Sequence, residues 1–172
     1  MAAVVPESDK TGNGSLGYTC LNSGSDGGSM TTDIFDLRRF LTAQDSCYPT
    51  ALSELRAGAK QSHWMWFIFP QVAGLGLSST ARHYAVSGLE EAQLYLAHPM
   101  LGQRLVECTE AVLKVEGRSA RQIFGGIDEM KFRSCMTLFA EVSPCHSLYH
   151  QALDRYFPGG PDVRTLELLE SM

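Results

Sequence analysis

One stretch of the chain reads KQSHWMWFIFPQ, from Lys60 to Gln71. This aromatic segment holds both tryptophans of the sequence, two of its eight phenylalanines and a histidine. Such density exceeds what an ordinary core needs, so the segment is either the central packing element of the fold or the wall of a pocket. Pro70 must end it, because proline has no amide donor and restricts the residue before it. The apolar pattern lacks strict alternation and is compatible with either a strand or a helix.

Apolar residues on both sides of the aromatic segment recur at helical spacing. The clearest stripe follows Pro99 and consists of Leu101, Leu105, Cys108, Val112 and Val115. No run of alternating β-branched residues occurs anywhere in the sequence. We therefore expect an all-α fold, in which residues 33–172 form a single compact domain of roughly eight short helices.

Local signals mark the ends of several of these helices. Ser78 and Ser119 are placed to cap short helices, and Ser87 with Glu90 has the spacing of a capping box. Asp128 is placed to cap the helix that follows Gly125 and Gly126.

Residues 1–32 are rich in Gly, Ser, Thr and Asn and have little apolar content. This composition predicts a disordered leader. Two interpretations remain open for it, a flexible regulatory or targeting tail and an extension without a role, and the composition favours the second.

The formal net charge of −5 provides no broad positive surface, which argues against a nucleic-acid partner and against an acidic membrane surface. The five cysteines are widely spaced, without a C-x-x-C pair, and are expected to be free thiols in a reducing, cytoplasmic compartment. No apolar run approaches the length of a membrane span. We predict neither a metal site nor a cofactor, since no two His or Cys have ligand spacing on a helix.

Five motifs together carry a family resemblance: DLRRF (36–40), SHWMWFIFPQ (62–71), GLG (74–76), YLAHP with LG (95–102), and DEMK running into MTLF (128–139). With these motifs, the segment from Asp33 to Leu169 resembles the family catalogued as domain of unknown function 1810. Its members are small helical proteins that are often mislabelled calpastatin in bacterial genomes. The resemblance implies an all-α fold and supplies no reaction. One position departs from the family pattern, because Cys135 stands where a second serine usually follows Ser134.

His63, Asp128 and Lys131 are the candidate catalytic residues. An imidazole that titrates near neutrality could act as acid or base, but the pattern favours the alternative, a core histidine bound to a backbone carbonyl. Asp128 and Lys131, with Ser134 one turn later, fall on one side of a helix start, where an anion is favoured. The alternative is an N-cap next to a solvated lysine, which this pattern favours.

Lys60, Ser62, Trp66, Gln71 and Ser134 are the candidate ligand-binding residues. The indole of Trp66 could stack on a flat ring or pack in the core, whereas Trp64 is better explained by the core. Lys60, Ser62 and Gln71 place polar groups at both ends of the aromatic segment. If the protein has a pocket, these residues are expected to form the wall nearest the segment.

Two functions follow from these residues. The first is the binding or processing of a small nucleotide-like ligand, a flat ring with a phosphate, between the aromatic segment and the helix near Asp128. The second is a non-catalytic interaction module in which the aromatic segment is core and a surface groove accepts a partner. The lack of a recognisable nucleophile beside a base motivates the second. Sequence patterns leave both open, together with the oligomeric state.

Overall fold

The computed structural model describes residues 34–172, and the predicted leader, residues 1–32, lies outside them. Within the described range the chain forms ten helices and no named strand, so the predicted all-α class is confirmed. In chain order the helices are α1 (Arg38–Asp45), α2 (Tyr48–Arg56), α3 (Met65–Ile68), α4 (Ser79–His83), α5 (Leu89–Ala97), α6 (Pro99–Leu113), α7 (Ala120–Phe124), α8 (Gly126–Glu141), α9 (Leu148–Tyr156) and α10 (Val163–Glu170).

The aromatic segment contains one short helix with extended chain after it. α3 occupies only four residues, and the amide of Phe69 donates to the carbonyl of Met65 at 3.0 Å before Pro70 ends the turn. Beyond Pro70 the chain pairs briefly with a second loop through an isolated parallel bridge between Val72 and Val86. The aromatic segment, whose pattern is compatible with strand or helix, thus forms one turn of helix, and an isolated bridge follows it.

Side chains from the aromatic segment lie at the centre of the core. Trp64 and Phe69 are fully buried, which confirms the core role expected for Trp64. The Phe69 ring lies nearly perpendicular to Phe132 of α8, with 5.0 Å between centroids, and to Phe124 of α7, with 5.9 Å. Edge-to-face pairs of this kind are favourable beyond the area that they bury. The segment is therefore held against α7 and α8, the two helices that precede and contain Asp128.

The helix α8 packs against four others, α5, α7, α9 and α10. A second long helix, α6, packs against α2, α5 and α9. Close approach is needed where α5 turns into α6, because a Cβ added at Gly102 would lie 2.1 Å from the carbonyl oxygen of Leu96. No helix within residues 34–172 is long and apolar enough to cross a membrane.

Side-chain caps begin several of the helices. The hydroxyl of Ser78 accepts from the amide of Ala81, which confirms its predicted cap of α4. Ser119 and Gln122 form a capping box at α7, which confirms the cap predicted for Ser119. Asp162 accepts from the amide of Thr165 at the start of α10. These bonds satisfy amides that a helix start otherwise leaves without partners.

Two predicted caps are wrong. At α5 the N-cap is Gly88, and the hydroxyl of Ser87 instead donates to Glu91, whose carboxylate forms an ion pair with Arg39 at 2.6 Å. At α8 the N-cap is Gly125, with a φ of 84° that favours glycine, so Asp128 is the third residue of the helix. In both places a glycine takes the cap position, and a nearby carboxylate pairs with a basic side chain from another part of the chain, Glu91 with Arg39 and Asp128 with Lys60.

Candidate functional site

Lys60, Asp128 and Lys131 form a triad of charges at the start of α8. Asp128 Oδ2 lies 2.7 Å from Lys60 Nζ, and its Oδ1 lies 2.7 Å from Lys131 Nζ. The side chain of Lys60 is 8% exposed, and those of Asp128 and Lys131 are 18% and 20% exposed. Two ammonium groups face one carboxylate, so the triad has one net positive charge.

Local structure positions each member of the triad. The amide of Lys60 donates to the carbonyl of Ile123 at 2.8 Å, and its ammonium donates to the carbonyl of Ser62 at 2.8 Å. Asp128 lies in the first turn of α8, where the helix dipole stabilises a carboxylate. Lys131 follows three residues later on the same face.

The charge state of Asp128 follows from opposing effects. Burial by itself raises the pKa of this carboxyl group, but the hydrogen bonds and positive charges of Lys131 and Lys60 outweigh it. The pKa of Asp128 therefore lies below its ordinary value of 3.8, and the group is ionised at neutral pH. An ionised Asp128 keeps both lysines in place and is not a ready proton acceptor.

Both tryptophans lie under a lysine of the triad. Lys131 Nζ is 4.3 Å from the centroid of the Trp66 ring, and Lys60 Nζ is 5.1 Å from the centroid of Trp64. Both distances are within the range of a cation–π contact. Trp66 is half-buried, whereas Trp64 is buried.

Glu54 fixes the beginning of the aromatic segment, and sequence patterns did not indicate it. Its carboxylate accepts from the amide of Gln61 at 2.8 Å, from the amide and hydroxyl of Ser62, and from the indole N–H of Trp64 at 2.8 Å. Burial alone raises the pKa of Glu54, but these hydrogen bonds lower it to about 2. The hydroxyl of Ser62, a predicted ligand-binding residue, thus donates a hydrogen bond to Glu54 Oε1 at 2.6 Å.

A cleft of about 470 Å³, which we call groove A, lies between the aromatic segment and α8. Four predicted site residues line it: Trp66, Gln71, Lys131 and Ser134. The other lining residues are Leu75, Gly76, Leu77, Ser78, Ala81, Ile127, Met130 and Asp162. Lys60 and Asp128 lie outside the lining, and they are linked to the groove only through the ion pair between Asp128 and Lys131.

A second cleft of about 610 Å³, groove B, shares Trp66 with groove A. Its lining consists of His63, Trp66, Phe67, Ser79, Thr80, His83 and Tyr84. His63 is exposed and lines groove B, whereas Lys131 lines groove A. The three candidate catalytic residues are therefore divided between two environments, with Asp128 and Lys131 in direct contact and His63 across Trp66.

Ser134 has a structural partner within groove A. Its Oγ lies 2.8 Å from Asp162 Oδ2 and 3.1 Å from the carbonyl oxygen of Met130. The same carboxylate oxygen accepts from the hydroxyl of Thr165 at 2.6 Å, and the amide of Asp162 donates to Thr137 Oγ1 at 2.8 Å. This network ties the start of α10 to α8. Asp162 thus accepts hydrogen bonds from Ser134, from the hydroxyl of Thr165 and from the amide of Thr165, a set of contacts typical of a helix cap.

Exposed apolar side chains surround the charged part of groove A. Leu77, Ile127 and Met130 are 84%, 70% and 60% exposed. These residues were missing from the predicted site, since single apolar residues at loop and helix positions have no distinguishing pattern. Together the groove offers a cation, an indole face, an amide at Gln71 and an apolar rim, which are elements for binding rather than for nucleophilic attack. Within residues 34–172 no group of three or more His, Cys, Asp or Glu could hold a metal ion.

The model of a family described as protein of unknown function, DUF1810, matches residues 34–169. The chain belongs to this family. The resemblance predicted from the five sequence motifs is thus confirmed. A solved DUF1810-like structure, described as the conserved hypothetical protein Rv1873 from Mycobacterium tuberculosis at 1.38 Å, is 51% identical, with a TM-score of 0.78. The match covers 80% of this chain and 99% of that one. No curated protein matches this DUF1810 chain.

Proposed function

We propose that this DUF1810 protein binds a small nucleotide-like ligand, a flat ring that carries an anionic group, in groove A. The observation that supports this proposal best is the contact between Lys131 and Trp66, which puts a cation and a flat ring side by side in one groove. The volume of about 470 Å³ is within the range of small-molecule sites. The proposal is one of binding, and it assigns no chemical step to His63, Asp128 or Lys131.

The charges of the triad favour an anionic ligand. Lys60 and Asp128 neutralise each other, which leaves the positive charge of Lys131 without a full counter-charge. An arriving phosphate or carboxylate would draw the ammonium away from the Trp66 ring and form a charge-assisted hydrogen bond with it. The uncovered indole face would then stack on the ring of the ligand. Under this proposal Lys60 and Asp128 position Lys131, and Gln71 contacts the edge of the ring.

Intrinsic fluorescence gives a direct test, because the chain has only two tryptophans. Trp64 is 1% exposed, so a ligand that stacks in groove A should quench the emission of Trp66 selectively. We expect AMP, ADP or ADP-ribose to quench it saturably. The variant Lys131→Ala should weaken binding by about 10-fold to 150-fold, the equivalent of a charged hydrogen bond of about 1.5–3 kcal/mol.

The matched control is Lys114→Ala, which removes an exposed lysine from the end of α6. This variant should bind as the wild type does, because Lys114 lies outside the lining of groove A. If none of the nucleotides binds, or if Lys131→Ala binds as tightly as Lys114→Ala, the proposal is wrong.

The exposed apolar rim favours a second candidate function, a non-catalytic interaction module. Leu77, Ile127 and Met130 could contact a partner protein or a second copy of the chain. Under this alternative Leu77→Ser and Ile127→Thr should abolish association, measured by light scattering and by pull-down. The same two variants should change nucleotide binding less than Lys131→Ala does. A monomer without partners would count against this second function.

A further inference from the structure

Groove B is lined mainly by planar side chains. Five of its seven lining residues have aromatic or imidazole rings: His63, Trp66, Phe67, His83 and Tyr84. The remaining two, Ser79 and Thr80, have hydroxyl groups. All seven lie in the described part of the chain and none of them is acidic. A surface of this composition suits a flat ring, because stacking needs only a π-face and hydroxyl and imidazole groups can bind the ring edge.

Three of the five rings of groove B, those of Phe67, His83 and Tyr84, are held by contacts with one another. Tyr84 lies 5.2 Å from Phe67 and 4.6 Å from His83 between ring centroids, both in near-perpendicular arrangements. Tyr84 also packs against Phe40 in the core, at 5.9 Å. A ring that is already supported on one side loses little freedom when a ligand stacks on it, which favours binding.

Trp66 connects this surface with the proposed site, since it lines both grooves. Lys131 lines groove A, and its ammonium lies 4.3 Å from the centroid of Trp66, the residue that the two grooves share. A mononucleotide has one ring and occupies one groove. A ligand with two rings joined by an anionic bridge would use both grooves and pair its bridge with Lys131.

We infer that groove B is a second ring-binding subsite and that the ligand class of this protein is a dinucleotide, with one ring in each groove and a pyrophosphate-type bridge at Lys131. This inference rests on the function proposed for groove A. A cation enclosed by the aromatic rings is the main competing occupant of groove B. Two features disfavour a cation in groove B. Its two imidazoles become positively charged on protonation, and none of its lining residues is acidic.

Calorimetric titration of the full chain with ADP and with diadenosine diphosphate tests the inference. Each nucleotide has two phosphates, and only the second has two rings. A second stacked ring should tighten binding by about 5-fold to 150-fold, as expected for one base–aromatic contact. Thr80→Phe should fill groove B and reduce the affinity for diadenosine diphosphate to that for ADP, while the affinity for ADP stays unchanged.

Arg82→Phe is the matched control, because Arg82 is exposed on the same helix and lies outside the lining of both grooves. It should leave both affinities at wild-type values. If thermal denaturation shows that Thr80→Phe is less stable than Arg82→Phe, His63→Ala is used in place of Thr80→Phe. His63→Ala should weaken the binding of diadenosine diphosphate by a smaller factor and leave the binding of ADP unchanged.

Three results would overturn this inference alone. If ADP binds and diadenosine diphosphate binds no more tightly, groove B is not a subsite and the proposal for groove A stands. If the second ring adds affinity that neither Thr80→Phe nor His63→Ala reduces, that ring lies elsewhere. If tetramethylammonium binds the wild type and not Thr80→Phe, groove B holds cations. Failure of both nucleotides to bind would instead overturn the function proposed for groove A together with this inference.

Discussion

Replacing Glu54 by glutamine removes the charge that holds the aromatic segment against α2 while keeping the shape of the side chain. The amide oxygen of glutamine can still accept from the amide of Gln61 and the indole of Trp64. Its NH₂ group would face the hydroxyl of Ser62, which can rotate to accept. The substitution therefore resembles protonation of Glu54, and the depressed pKa gives the scale of its effect.

A pKa of about 2 in place of 4.5 corresponds to about 3.4 kcal/mol between the charged and neutral forms. Because the carboxylate is partly exposed, solvent screening reduces this figure, and we expect Glu54→Gln to lower the free energy of unfolding at pH 7 by about 1–3 kcal/mol. A group with a depressed pKa stabilises the fold above its unfolded pKa. This stabilisation disappears as pH falls through the folded value. The difference between wild type and variant should therefore shrink between pH 4.5 and about pH 2.

Urea denaturation followed by circular dichroism at a series of pH values measures this difference. Glu116→Gln is the matched control, since Glu116 is exposed in the loop after α6 and should change the stability by less than about 0.5 kcal/mol. Equal stability of Glu54→Gln and wild type at pH 7 would refute the reasoning. So would a deficit that persists undiminished at pH 2, because the cause would then be packing rather than charge.

Three further predictions concern the same region and its supports. Asp128→Asn should lower the free energy of unfolding, measured in urea, by about 2–4 kcal/mol, because it leaves the nearly buried Lys60 without its counter-charge. Lys131→Ala should lower it by less than about 1 kcal/mol. Gly102→Ala should lower the free energy of unfolding, measured by thermal denaturation, by about 1–3 kcal/mol or more, because the new Cβ meets the Leu96 backbone. Gly126→Ala should leave the stability nearly unchanged, because its Cβ meets only the end of the Arg121 side chain. Ser134→Ala should lower the free energy of unfolding by about 1 kcal/mol and increase amide hydrogen exchange in α10, since the hydroxyl joins Asp162 to α8. Unchanged exchange would show that the hydrogen bond of Ser134 does not hold α10.

Helical class and several helix starts could be predicted from local patterns. Ser78 and Ser119 bind amides only three residues away, so their caps depend on the nearby chain alone. Asp128 shows where such reasoning fails. Its helix start has the expected acidic residue, but Gly125 takes the cap position, and the carboxylate of Asp128, third in the helix, pairs with Lys60 and Lys131. Local spacing cannot reveal a partner that lies 68 residues away.

The candidate site shows the same division. Trp66, Gln71, Lys131 and Ser134 were selected from the sequence and all line groove A. His63 is a candidate because its imidazole could act as acid or base, yet it lines groove B. Successive side chains of the four-residue helix α3 point in different directions. Trp66 lines both grooves because α4 and α8 lie beside it, and this arrangement belongs to the tertiary structure.

The sequence by itself determined the all-α class, through the helical spacing of apolar residues on both sides of the aromatic segment, and membership of DUF1810, through five short motifs that include this segment. The tertiary structure decided what the polar residues beside that core do. Glu54 captures the start of the segment, Asp128 joins two lysines, and Lys131 lies over Trp66. The contacts of Lys60 with Asp128 and of Lys131 with Trp66 join elements distant along the chain, and they depend on the relative placement of helices, which short-range periodicity does not specify.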